Sequence, residues 1–124
     1  MINLIREKAA QYYPAIQAIR HHIHANPELS FQEHKTAAFI AEQLSAWGIE
    51  HQTGVAGTGV VALIKGKNPA KRCIALRADM DALPIHEAND TAYRSKNDGV
   101  MHACGHDVHS SCLLGAARIL NEVK

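Results

Sequence analysis

Two short, uninterrupted apolar runs stand between segments of helical period, and that change of period limits the chain to a mixed α/β architecture. The runs are Val60-Val61-Ala62-Leu63-Ile64 and Cys73-Ile74-Ala75-Leu76-Arg77-Ala78. Each has the length of a strand buried on both faces. Residues 49–53 read as a further short strand, Gly54-Val55-Ala56-Gly57-Thr58-Gly59 as a loop and Lys65-Gly66-Lys67-Asn68-Pro69 as a turn. Ahead of them Ile2, Ile5, Ala9, Tyr12, Ile16, Ile19 and Ile23 recur at alternating steps of three and four, one face of a helix. Pro14 lies inside that pattern and predicts a kink or break near Tyr13, and Ala25-Asn26-Pro27 predicts the end. Ser30-Phe31-Gln32-Glu33 reads as a capping box that opens a second helix through Ala37, Ile40, Ala41, Leu44 and Trp47, stopped by Gly48. Residues 79–99 are polar, irregular and interrupted by Pro84. A last helix carries Val108, Cys112, Leu113, Ala116, Ile119, Leu120 and Val123 on one face, with Asp107 as its cap.

The order is helix, helix, strands, long loop, helix. An apolar helix that closes at Lys124 without a strand to follow reads as the opening part of a larger α/β unit. The 124 residues are 47% hydrophobic and 20% charged, which fits a globular domain rather than a disordered chain. Thirteen Lys and Arg against 12 Asp and Glu leave a net charge of +1, with no electrostatic footprint for nucleic acid or an anionic membrane. No apolar run reaches bilayer length, and Arg6, Glu7 and Lys8 arrive too early for a secretory core. Three cysteines make a disulfide framework improbable and point to a reducing, cytoplasmic compartment. Cys73 and Cys112 sit on apolar faces and are expected in the core.

The nine histidines are the unusual count, and they concentrate where chemistry is expected. Met101-His102-Ala103-Cys104-Gly105-His106-Asp107-Val108-His109 packs three imidazoles, a thiol and a carboxylate into the opening of the last helix. A thiolate and an imidazole separated by one glycine can face a single ion if the backbone turns there, and zinc or a similar divalent metal accepts that pair. A partly buried loop with a packed thiol and hydrogen-bonded imidazoles is the equal alternative on spacing alone. Arg77-Ala78-Asp79-Met80-Asp81-Ala82-Leu83-Pro84 places two carboxylates on one side at the end of an expected strand, where open α/β sheets bind ligands. Such acids can ligate a metal or hold a ligating histidine, or they can be solvated, with one paired to Arg77. His21 and His24 are neighbours on a helix face, and a polar helix end is the simpler reading there. The glycines at 54, 57 and 59 lack the dinucleotide-binding spacing, and no Walker loop, zinc-protease helix or nucleophile elbow occurs.

Taken together, His24-Ala25-Asn26-Pro27-Glu28-Leu29-Ser30, the 77–84 segment and the 102–109 segment closely resemble the metal-dependent amidohydrolases. That family includes N-acyl-amino-acid amidohydrolases, hippurate hydrolases and indole-acetyl-amino-acid hydrolases, among the aminoacylase and carboxypeptidase type of co-catalytic metallopeptidases. The resemblance runs from about residue 15 to the end of the chain. It implies a zinc-peptidase-like α/β catalytic domain, with helices packed on a mostly buried sheet and a separate lid or dimerisation domain. It implies two divalent ions, among which zinc, manganese, cobalt and nickel are not distinguished, and hydrolysis of the amide of an N-acyl amino acid or peptide-like substrate. It implies Cys104 and His106 as metal ligands and Asp81 as the catalytic-centre acid that supports a ligand or the metals. Asp79, Asp107 and His109 fall around that centre without a direct ligand role. The family's Glu-Glu pair, which carries the proton of the attacking water, and its remaining ligands come from further along the chain. Residues 1–124 are therefore expected to be an N-terminal part of the catalytic domain, without lid and C-terminal half and inactive alone, with homo-oligomerisation open to the whole protein. The alternative is a small metal-binding module or a degenerate fragment without catalysis.

Overall fold

Helical periodicity at the N-terminus produces one uninterrupted helix, α1 (Ile2–Ala25), in a computed structural model that describes residues 1–124. Helix α2 (His34–Ala46), strands β1 (Glu50–Val55) and β2 (Gly59–Leu63) and helix α3 (His106–Val123) follow. The break expected at Pro14 is absent. The helix is held to α3 on both sides of the proline. Before it, Lys8 and Tyr12 bond the Glu122 carboxylate; after it, Ile16 packs against Gly115. Pro14 itself is exposed, so the ring displaces nothing in the core.

The capping box does not form. The Ser30 hydroxyl donates instead to Asp81, and the Glu33 carboxylate accepts from the Thr58 hydroxyl at 2.7 Å. The free amides at the start of α2 are satisfied by Glu28, whose carboxylate accepts from Lys35 N at 3.2 Å and from Thr36 N at 2.7 Å. The other end follows expectation. Gly48 sits at φ +64°, its amide donates to Ser45 O, and the Ile49 amide donates to Leu44 O. This double bond is the Schellman arrangement, which needs a left-handed residue where only glycine is unstrained. It also delivers Ile49 beside Leu44 in a core completed by Ile19, Ile23 and Leu114.

Strands β1 and β2 pair antiparallel, with Glu50 opposite Leu63 and Val55 opposite Gly59. The mixed α/β assignment holds, but the sheet is not mostly buried: Val61 is 54% and Leu63 47% exposed. The expected strand at 73–78 is also absent, with Ile74 72% and Leu76 59% exposed. An apolar run becomes a strand only beside a partner that offers a ladder, and none pairs with it here. Cys73 and Cys112 are exposed rather than in the core. Isolated bridges from Leu29 to Ala82 and from Leu83 to Met101 hold the irregular segment between the helices.

Helix α3 turns a different face inward from the one its apolar residues mark. Asp107, Ser110, Ser111, Leu114 and Gly115 are buried, while Val108 and Leu120 stay exposed. Gly105, left-handed at φ +81°, precedes the helix, and Asp107 lies inside the first turn without capping it. A Cβ on Gly115 would sit 3.2 Å from Ile16 Cγ1, so the glycine lets α1 and α3 approach closely.

Candidate metal centre

The first turn of α3 meets the 79–82 segment, and the contact orders one imidazole completely. His106 Nδ1 donates to the Asp81 carboxylate at 2.9 Å and to the Asp81 carbonyl at 3.0 Å. With the proton held on Nδ1, the lone pair of Nε2 is left to accept or to ligate. Asp81 is itself fixed from the other side by the Ser30 hydroxyl. That bond, working against burial and joined by the His106 ring, holds the Asp81 carboxyl below its ordinary range.

Asp79, His106 and His109 bring one ligand atom each within 4.8 Å of one another. His106 and His109 are one turn apart on α3, with ring centroids 5.3 Å apart. Asp79 is shared: Arg77 donates to its carboxylate at 2.9 and 3.0 Å, and the Ser110 hydroxyl donates to its carbonyl at 2.9 Å. Cys104 is exposed and falls outside this cluster, separated from His106 by the left-handed Gly105. The structure thus joins Asp81, Asp79, His106 and His109, and leaves Cys104 beside them rather than among them. Imidazole nitrogens with a carboxylate, one imidazole already oriented by a second carboxylate, form a donor set that suits a divalent transition metal.

A second cluster lies behind the first. His24 is 4% exposed. Its Nδ1 donates to Asp107 Oδ2 at 2.8 Å and its Nε2 to Glu87 Oε1 at 3.0 Å. Arg20 Nε donates to the same Asp107 oxygen at 2.7 Å, and its guanidinium lies 4.8 Å over the Tyr93 ring. His21 stacks on Tyr93 with centroids 3.9 Å apart. The polar helix end expected at His21 and His24 is therefore a buried ion-pair cluster. Its signal was present in the sequence: Arg20 and His24 are one turn apart and directly follow the core residues Ile19 and Ile23. Burial would raise the Glu87 carboxyl, but the Ser95 amide, the His24 ring and the Asn89 amide outweigh it and hold it at about 2. His102 is buried with neither ring nitrogen partnered, and burial pushes its imidazole down to about 4, against the pull of Asp107. Asp107 Oδ1 is likewise buried and unpartnered.

Residues 75–124 match the model of peptidase family M20/M25/M40. An N-acyl-L-amino acid amidohydrolase of Geobacillus stearothermophilus is 51% identical over 86% of this chain and 29% of its own length. Thermostable carboxypeptidase 2 of Saccharolobus solfataricus is 53% identical over 97% of this chain and 30% of its own length. A crystal structure of a dinuclear metal binding peptidase of the M20 family from Bacillus subtilis superposes with a TM-score of 0.87 at 42% identity, covering 92% of this chain and 32% of that one. The chain thus spans between a quarter and a third of the length of these relatives. No helix is long and apolar enough to cross a membrane.

Proposed function

The chain belongs to peptidase family M20/M25/M40, and on that premise we propose that it supplies one side of a dinuclear metal centre in an amidohydrolase that cleaves the amide of N-acyl amino acids. In this reading His106 Nε2 and the Cys104 thiolate are ligands. Asp81 is the acid of the centre, holding His106 in its ligating tautomer. Asp79 and His109 line the same side, and Asp107 anchors the helix that carries both histidines. A bound divalent ion supplies Lewis acidity toward the amide carbonyl and a water of lowered pKa. The residues of this chain orient the ligand atoms and keep the Nδ1 proton of His106 engaged. The observation that carries the proposal is the Asp81 to His106 pair at 2.9 Å, beside Cys104 at a left-handed glycine. Three exposed, unpaired thiols suit a reducing cytoplasm.

A catalytic metal of this kind takes about three protein ligands, so two ligands and an exposed neighbour hold one ion weakly and two not at all. Cobalt titration of the purified 124-residue chain, read by visible absorption, tests this. One site per chain is expected, abolished in His106→Ala and weakened about 10–100-fold in Asp81→Asn. No hydrolysis of hippurate is expected from the isolated chain. Cobalt binding that is unchanged in His106→Ala overturns the assignment.

A further inference from the structure

We infer that His24 is a positioning residue for the metal centre: a buried two-sided clamp that sets the rotation of the first turn of α3 and so decides where His106 and His109 point. The inference rests on the reading of His106 as a ligand. His24 touches neither His106 nor His109. It acts through Asp107, the residue next to His106, which is 1% exposed.

Both ring nitrogens of His24 face carboxylate oxygens, Asp107 Oδ2 at 2.8 Å and Glu87 Oε1 at 3.0 Å. Ionised carboxylates only accept, so the contact is complete when both nitrogens carry a proton and donate. The Asp107 contact ties the end of α1 to the first turn of α3. The Glu87 contact ties it to the irregular segment, which returns to the same place through Lys96 N to Ala25 O at 3.0 Å and the Asn97 side chain to Pro27 O at 3.2 Å. Three residues therefore fix that first turn: Asp107 through His24 and Arg20, His106 through Asp81, and Ser110 through the Asp79 carbonyl. The last two lie on the ligand side, and the first is the only one that pulls from behind. This also accounts for the inverted face of α3. An aspartate paired inward at position 107 turns the helix so that Ser110, Ser111 and Leu114 follow it into the core and Val108 does not.

Two amide variants separate positioning from plain stability. In His24→Asn the amide nitrogen takes the place of Nδ1 and can still donate to Asp107. In His24→Gln it takes the place of Nε2 and can donate only to Glu87. The 124-residue chain is titrated with cobalt, and histidine-selective nitrogen-15 NMR follows the His106 Nδ1 proton bonded to Asp81 in the metal-free protein. His24→Asn is expected to keep cobalt affinity within about threefold and to retain the Nδ1 signal, whereas His24→Gln loses about 10–100-fold and shifts or broadens it. Equal behaviour of the two variants, or losses that only track their unfolding temperatures, overturns the proposal. Should the wild-type chain bind cobalt no better than His106→Ala, the ligand reading fails. The NMR comparison still decides on the clamp, because it needs no metal.

Discussion

Glu87 keeps its charge at 4% exposure because the Ser95 amide, the His24 ring and the Asn89 amide converge on it. Its value of about 2 lies below the ordinary 4.5, so between those values the unfolded chain takes up the proton more readily. The stability this group contributes is complete above about pH 4.5 and drains away as the pH falls toward 2. Glu87→Gln is expected to cost about 3–5 kcal/mol at neutral pH, since it strips one partner from a buried ion pair. It should also flatten the loss below pH 4.5. Urea unfolding of both proteins from pH 7 down to pH 3 checks both effects, the wild type showing the steeper decline. At this scale the sequence singled out Asp81 and His106, which sit in compact motifs and pair in the structure, but not Glu87. An acid 63 residues from its histidine leaves no local pattern to read.

At the scale of elements, the same limit separates what was legible from what was not. The existence and order of the three helices followed from a 3.6-residue apolar period, and the end of α2 from one glycine, because these are decided within a few neighbouring residues. The capping box failed because Ser30 found a carboxylate 51 residues away. The strand at 73–78 failed because strands are made by partners, not by composition. The face of α3 was misread because the apolar stripe competes with one buried aspartate whose partners lie on another helix. Pro14 offers the sharpest test. It sits exposed within an unbroken helix whose two halves are pinned independently, and its missing amide leaves the bond to Ala10 unmade. Pro14→Ala is therefore expected to stabilise the chain by up to about 3 kcal/mol, seen as a higher urea midpoint. Gly48→Ala should do the opposite, costing about 1–2 kcal/mol through the left-handed position.

Over the whole molecule, burial and function are unevenly placed. Only 20 of the 124 residues are buried, and the largest apolar cluster holds five, so each core side chain carries a large share of a small total. Leu114→Ala should cost about 2–5 kcal/mol, set against the about 5–15 kcal/mol typical of a folded domain. It removes the residue through which α3 enters that cluster. Ile74 and Leu76, by contrast, hold apolar surface in solvent at 72% and 59% exposure, on a segment with no ladder. Exposed apolar patches of this kind bind hydrophobic dyes without the protein having unfolded. The native chain should therefore enhance the fluorescence of an anilinonaphthalene dye, and the double change Ile74→Lys with Leu76→Lys should reduce that signal. The double variant should leave far-ultraviolet circular dichroism and the unfolding temperature where they were, because neither side chain contributes to the core. Leu114→Ala should instead lower the unfolding temperature, losing helical signal on heating well before the wild type. If instead the lysine pair unfolds the chain, the 73–78 segment is packed and Ile74 and Leu76 are not in solvent.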